Sequence, residues 1–125
     1  MDPLHAAVIR GNLVDCKRLL AEGANPNEVL SDGHTLLHLA AKAGALSIAE
    51  KLCESGADIC ALTVLGNTPL HGAAYTGHIE IVKFLLGQGA KPWIKNAAGK
   101  TAADRAFDHG QWEIVDLLSS CAIRR

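Results

Sequence analysis

The feature that most constrains this chain is a spacing of 33 residues between matching glycines. Gly33, Gly66 and Gly99 follow one another at this step. The same step relates three further sets: Gly11, Gly44, Gly77 and Gly110; Gly23, Gly56 and Gly89; and Leu19, Leu52, Leu85 and Leu118. One period kept by several residue types without an insertion indicates that a single supersecondary unit is repeated along the chain. We therefore expect a stack of similar units, each packed on its neighbours.

Each unit contains two short apolar patterns typical of helices. In the unit after Gly66, the first pattern covers residues 70–74 and the second includes Ile79, Val82 and Leu86. Spacings of three, four and seven residues place these side chains on one face of a helix. Helices this short are marginal in water by themselves, so they must be held by neighbours. The glycine after each pattern fits a helix end, where the backbone turns left-handed.

Composition and charge narrow the class of function. Hydrophobic residues make up 49% of the chain and aromatic residues only 4%, so Ala, Leu, Ile and Val must form the interior. The net charge of −1 lacks the positive excess that a nucleic-acid partner requires. The best candidate for a membrane span, residues 36–52, is interrupted by His38, Lys42 and Glu50. We expect a chain that binds neither nucleic acid nor a membrane.

The cysteines give no sign of a metal site or of export. Cys16, Cys53, Cys60 and Cys121 form no Cys-x-x-Cys pair and have no spacing typical of zinc ligands. The first residues, MDPLHAAVIRG, lack the basic-then-apolar layout of a signal peptide. We therefore expect reduced thiols and a cytoplasmic or nuclear location.

The 33-residue step also relates three histidines: His5, His38 and His71. Thr68 stands where a helix N-cap is expected, Pro69 stands at the first helical position, and His71 follows Thr68 by three residues. That third position is the one from which a capping box bonds back toward the cap. In the last unit Thr101 is followed by Asp104, an acid in the same position. We therefore interpret the histidines as helix-start residues, with Asp2 at the corresponding cap of the first unit.

This interpretation argues against catalysis or metal binding by the histidines. The positive end of a helix disfavours imidazolium, so we expect His38 and His71 to be neutral. Equivalent side chains on stacked units should lie about 8–10 Å apart, the distance between packed helices. A single metal ion binds nitrogen ligands at about 2 Å and cannot bridge that distance. The sequence predicts neither a metal site nor a cofactor.

Two stretches of the sequence resemble a known repeat family. The strings DGHTLLHLAAKAG (residues 32–44) and GNTPLHGAAYTGH (residues 66–78) resemble the ankyrin repeat, with its T-P-L-H-x-A signature. The resemblance covers essentially the whole chain and implies an all-α solenoid of helix–turn–helix units with β-turn fingers. It implies one domain, residues 1–125, with repeats at about 1–29, 30–62, 63–95 and 96–125. Thr-Pro becomes Thr35-Leu36 and Thr101-Ala102 in two units, and the end units are expected to have polar outer faces.

The resemblance also implies where a partner protein binds, namely on the finger tips and the concave face of the first helices. The positions carried over for the fingers are Ser31, Asp32, His34, Val64, Leu65, Asn67 and Lys100, and those for the helices are Lys42, Tyr75, Thr76, Asp108 and His109. Leu62 and Trp93 are added because apolar residues in loops that should be polar suggest a contact surface. Leu62 and Leu65 could instead pack between adjacent fingers. Trp112 replaces apolar residues of the other units, and we expect it to pack inside.

The predicted function is that of a monomeric, non-catalytic module that binds another protein, acting as an adaptor or a stoichiometric inhibitor. One alternative is that the chain is the ankyrin part of a larger scaffold or channel. An alternative of a different class is a hydrolase or metal-binding protein that uses cysteine and histidine residues. Its candidate groups are Cys53, Cys60, His71 and His78, although each is also explained by its place in the repeat.

Overall fold

The structure consists of consecutive pairs of helices. The computed structural model describes residues 3–122, with side chains through residue 120, so Asp2 lies outside the described residues. The two helices of each pair are connected by two or three residues. The helices of the described part are α1 (Pro3–Arg10), α2 (Leu13–Ala21), α3 (Leu36–Ala43), α4 (Leu46–Glu54), α5 (Pro69–Thr76), α6 (Ile79–Gly87), α7 (Ala102–Asp108) and α8 (Trp112–Ala122). This confirms the predicted all-α repeat stack.

The pairs stack in two layers. The first helices of successive pairs contact one another (α1 with α3, α3 with α5, α5 with α7), and so do the second helices (α2 with α4, α4 with α6, α6 with α8). Ala40, Ala41, Ala73 and Ala74 are completely buried in the first layer. Because alanine has so small a side chain, it allows neighbouring helices to approach closely, which explains how a chain with few aromatics closes its interior. Leucines at the repeated positions, Leu52, Leu85 and Leu118, are completely buried on the second helices.

The predicted capping boxes are present. The Thr68 side chain accepts a hydrogen bond from the backbone N–H of His71 (3.3 Å), and the Thr68 N–H donates to Nδ1 of His71 (3.1 Å). Thr35 and His38 repeat this arrangement at α3, and Thr101 and Asp104 repeat it at α7. The glycine that ends α5, Gly77, has a left-handed backbone with φ of 85°, as its position predicts.

The same imidazoles also join consecutive pairs. Nε2 of His38 lies 2.8 Å from the carbonyl oxygen of Asn67, and Nε2 of His71 lies 2.9 Å from that of Lys100. A carbonyl oxygen only accepts, so Nε2 carries the proton and Nδ1 accepts from the threonine. His5 is buried, but its Nε2 has no hydrogen-bond partner among the described residues. The hydrogen bond from a histidine Nε2 to the next repeat therefore joins the second pair to the third and the third to the fourth, and within residues 3–122 His5 does not form it between the first pair and the second.

Neighbouring fingers contact each other through their backbones. The Val64 N–H donates to the carbonyl oxygen of Asp32 (3.3 Å), and the Ala97 N–H donates to that of Leu65 (2.9 Å). At Gly33, where φ is +85°, a Cβ atom would lie 2.8 Å from the Val64 nitrogen. Glycine is needed here both for the left-handed turn and for the close approach of the next finger.

One expectation for the last pair is wrong, the packing of Trp112. Trp112 is 59% exposed instead of packed, and its ring meets that of Phe107 edge-on at 5.2 Å between centroids. Phe107 is also exposed, so the exposed surface of this pair carries aromatic rings beside charged side chains such as Asp108 and Glu113. The equivalent Leu46 and Ile79 are half-buried because a further helix pair follows theirs in the described chain, whereas none follows α7 and α8.

Candidate interaction surface

The finger between α4 and α5 presents apolar side chains to solvent. Leu62, Val64 and Leu65 are 56%, 76% and 66% exposed. The alternative that Leu62 and Leu65 are covered between adjacent fingers is therefore wrong, since the fingers meet through backbone groups and leave these side chains outside. Val29, which holds the position of Leu62 one repeat earlier, is also exposed. The 33-residue step could have identified Val29, but it was not among the predicted residues.

The polar residues predicted in the fingers have different environments. Ser31 and Asp32 are exposed, and the Asp32 carboxylate lies 3.0 Å from Nδ1 of His34. Hydrogen bonding to His34 lowers the pKa of Asp32 below its usual value. Asn67 is half-buried, accepts from His38 through its backbone, and accepts through its side chain from Asn96 (2.8 Å). Asn67 therefore has a structural role as well as a position at the surface.

A cleft of about 230 Å³ lies along the inner helices at the base of the fingers. Helices α3, α5 and α7 supply Lys42, Tyr75 and Arg105 to its walls, and the fingers supply His34 and Asn67. Four of these five residues were predicted from the resemblance. Arg105 was not, because it belongs to a different position of the repeat, the one that Leu39 and Gly72 occupy in the earlier pairs.

Tyr75 is enclosed by two neighbours from α7 and its C-terminal cap. The Arg105 guanidinium carbon lies 4.4 Å from the centroid of the Tyr75 ring, which is a cation–π contact. The His109 ring meets the same tyrosine edge-on at 3.9 Å between centroids. The structure thus brings together the predicted residues Tyr75 and His109. Tyr75 is half-buried between the His109 ring and the Arg105 guanidinium.

The remaining predicted residues lie apart from the cleft. The Thr76 hydroxyl donates to the Gly72 carbonyl oxygen (2.8 Å) within its own helix. Nζ of Lys100 lies 3.3 Å from the Asp108 carboxylate, so these two form an ion pair. Trp93 is 42% exposed in the loop after α6 and does not line the cleft. The cleft therefore gathers only part of the predicted set.

Two buried imidazoles form the back of the cleft, and both are expected to be uncharged. Burial lowers the pKa of His38 and of His71 below the usual value, with His34 and Lys42 adding to the effect at His38 and Arg105 at His71. The neutral form was predicted from the helix start, and desolvation by burial acts in the same direction. With both nitrogens engaged by the backbone and the threonines, these rings serve as structural hydrogen-bonding groups.

The other candidate chemical groups have ordinary structural surroundings. Burial raises the pKa of the Cys53 thiol to about 11, and burial also raises that of Cys16, which keeps both in the unreactive protonated form. Nε2 of His78 lies 3.1 Å from the Lys42 carbonyl oxygen near the end of α3. Among residues 3–122, no cluster of three or more histidine, cysteine or acidic side chains is placed to hold a metal ion. None of the helices in that range is long and apolar enough to cross a bilayer.

The fold and its exposed surface define a helical solenoid of the kind that binds other proteins. A sequence model of the family described as ankyrin repeats (3 copies) matches residues 1–63 and, in a second match, residues 60–124. The chain therefore belongs to the ankyrin-repeat family, whose repeats form protein–protein interaction modules. No curated protein matches the chain.

Proposed function

We propose that this chain is a non-catalytic adaptor or stoichiometric inhibitor that engages one partner protein across its central finger and its inner cleft. The observation that supports this most directly is the exposure of Val64 and Leu65 on the finger that also supplies Asn67 to the cleft. Exposed apolar side chains on a loop, and a half-buried aromatic residue such as Tyr75 in a cleft, are each typical of contact sites. The localisation we propose with this role is cytoplasmic or nuclear.

The test is a comparison of partner capture by the wild-type chain and by a double variant, Leu65→Glu with Tyr75→Glu. Affinity purification with mass spectrometry first identifies proteins that the wild type retains. We expect the double variant to lose them, because the added charges would have to be desolvated in the interface. Far-ultraviolet circular dichroism should be unchanged for both proteins.

Val14→Glu is a suitable control variant, because Val14 is 74% exposed on α2 in the other layer. It adds a charge at a similarly exposed apolar position and should leave partner capture intact. Capture that survives the double variant, or that Val14→Glu abolishes equally, would place the partner elsewhere on the molecule. An adaptor should retain two partners at once, whereas an inhibitor should retain one and block its activity.

A second candidate is that the chain is the ankyrin part of a larger scaffold. The exposed Phe107 and Trp112 on the last helix pair favour this, because both rings would be covered if a further unit packed on them. An antibody raised against residues 3–122 distinguishes the two candidates on a blot of cell extract. A band near 13.2 kDa supports the small adaptor or inhibitor, and only larger bands support the scaffold.

A further inference from the structure

We propose that the inner cleft recognises a carboxylate side chain, so that the partner presents an acidic peptide segment with a glutamate or aspartate held between Lys42 and Arg105. This inference rests on the proposed function and names the chemistry of the partner at the same surface. Lys42 comes from α3 and Arg105 from α7, on either side of α5.

The first argument is charge. No aspartate or glutamate lines the cleft. Within residues 3–122 neither Lys42 nor Arg105 forms an ion pair with a carboxylate. The nearby acids have other partners: Asp108 pairs with Lys100, the Asp32 carboxylate lies 3.0 Å from Nδ1 of His34, and the Asp104 carboxylate accepts from the Thr101 N–H at 3.0 Å. Two cations with no internal counter-ion leave the cleft positively charged and complementary to an anion.

The second argument is preorganisation. The Arg105 guanidinium rests against the ring of Tyr75, which limits the conformations of a side chain that is otherwise flexible. A guanidinium stacked on one face keeps its N–H edges free, and those edges match the two oxygens of a carboxylate. Since less side-chain entropy is lost on binding, a guanidinium held in this way binds an anion better than a free surface arginine.

The third argument is space. Gly72 lines the cleft together with the two cations and contributes no side chain to it. A Cβ atom at this position would lie 2.9 Å from Cγ of Lys42, so any larger residue would displace the lysine stem. The repeat places leucine and arginine at the equivalent positions 39 and 105. The absence of a side chain at Gly72 is therefore what gives the Lys42 stem room to lie against α5 at the cleft.

The fourth argument is size and surroundings. A cleft of about 230 Å³ accommodates one or two side chains of an extended segment and not a folded element. The exposed Leu65 lies two residues from Asn67, which lines the cleft, so an apolar residue near the acid would find a contact. A nucleic acid would require a longer track of cations than two residues in a chain with a net charge of −1.

The test uses two synthetic peptides of twelve residues in a Gly-Ser background, one with two glutamates and two leucines and one with glutamine in place of glutamate. Binding to the full chain is followed by NMR, through the backbone amides of Gly72 and Arg105 and the Arg105 Nε–H. We expect the glutamate peptide to shift these signals and the glutamine peptide to bind about tenfold more weakly or worse, as loss of a charge-assisted bond predicts. Added salt should weaken only the glutamate peptide.

The variant Lys42→Gln with Arg105→Gln should lose the preference for glutamate. Its control, Lys17→Gln with Lys83→Gln, removes the same charge from α2 and α6 and should keep the preference. Equal binding of both peptides, an unchanged preference in the cleft variant, or tighter binding of a single-stranded DNA 12-mer than of the glutamate peptide would each overturn the inference. If the cleft variant still captures the cellular partner while Leu65→Glu with Tyr75→Glu does not, the proposed function stands and the carboxylate site alone fails.

Discussion

The Nε2 atom of His71 lies 2.9 Å from the carbonyl oxygen of Lys100, in the next repeat, while Nδ1 of the same ring accepts from Thr68 at the start of its own helix. One buried side chain therefore caps a helix and fastens that helix to the following finger. Each short helix depends on its neighbours for stability, so a bond that crosses between repeats affects the whole stack.

Replacing His71 by alanine should therefore lower the free energy of unfolding by about 2–4 kcal/mol, since it removes buried hydrogen bonds and leaves a cavity. Asp104→Ala is the matched control, because Asp104 forms the same local box in an exposed position. It should cost about 1 kcal/mol, the typical effect of a cap. Urea unfolding measures both values. Equal losses would show that the bond to Lys100 adds nothing to the local cap.

Stability should depend on pH through His38 and His71. Their folded pKa values are lowered from 6.5 by burial, so the unfolded chain takes up protons first as the pH falls. The stabilisation is complete above the unfolded value and is lost as the pH falls through it toward the lower folded values. The unfolding midpoint should stay level from about pH 7.5 to about pH 6.5 and should then decrease as the pH is lowered to about 5, which is still above the usual carboxyl range. His71→Ala should show a shallower decrease, and an identical slope would contradict this account.

The contact between fingers can be measured with two glycine variants. Gly33 and Gly99 both have left-handed backbones, with φ of +85° and +76°. A Cβ atom at Gly33 would lie 2.8 Å from the Val64 nitrogen, whereas a Cβ atom at Gly99 would have nothing within 4 Å. Gly99→Ala should cost about 1–2 kcal/mol for the backbone alone. Gly33→Ala should cost clearly more, as seen in the melting temperature, and equal costs would mean that the fingers separate freely.

The stability of the protein should fall when a buried side chain in the second layer of helices is made smaller. Leu85 is completely buried, so Leu85→Ala should reduce the free energy of unfolding by about 2–5 kcal/mol. Val14→Ala, on an exposed face of α2, should change it by no more than about 0.5 kcal/mol. Denaturant unfolding followed by circular dichroism compares them. A small effect at Leu85 would indicate that the layer relaxes into the cavity.

The repeat architecture and its helix starts could be predicted because they depend on local order in the chain. The spacing of Thr68 and His71 is enough to identify a capping box, since both groups belong to one turn of helix. The step of 33 residues is enough to identify stacked units, because an insertion in any unit would break the register of the stack. The contact surface at Leu62 and Leu65 was predicted on other grounds, namely apolar residues in loops that should be polar and, for Leu65, the family resemblance, with packing between fingers as the alternative.

Other features of the surface could not be predicted in this way. Arg105 and Tyr75 lie on two different helices and at two different positions of the repeat. The 33-residue step relates only equivalent positions, so it could not predict their contact. Trp112 occupies a position that is apolar in every unit, yet it is exposed because burial there depends on a following pair. The partner bonded by Nε2 of His38 lies 29 residues away in sequence.

By itself, the sequence determined the period, the helix ends, the small side chains of the interior and the threonine–histidine caps, because hydrogen bonds within one turn and steric limits at glycine act over a few neighbouring residues. The tertiary structure alone decided which cations face a common cleft, which apolar side chains remain in solvent and where each imidazole finds its second partner. Those outcomes depend on the distance and angle between separate helices, and the packing of the whole stack sets both.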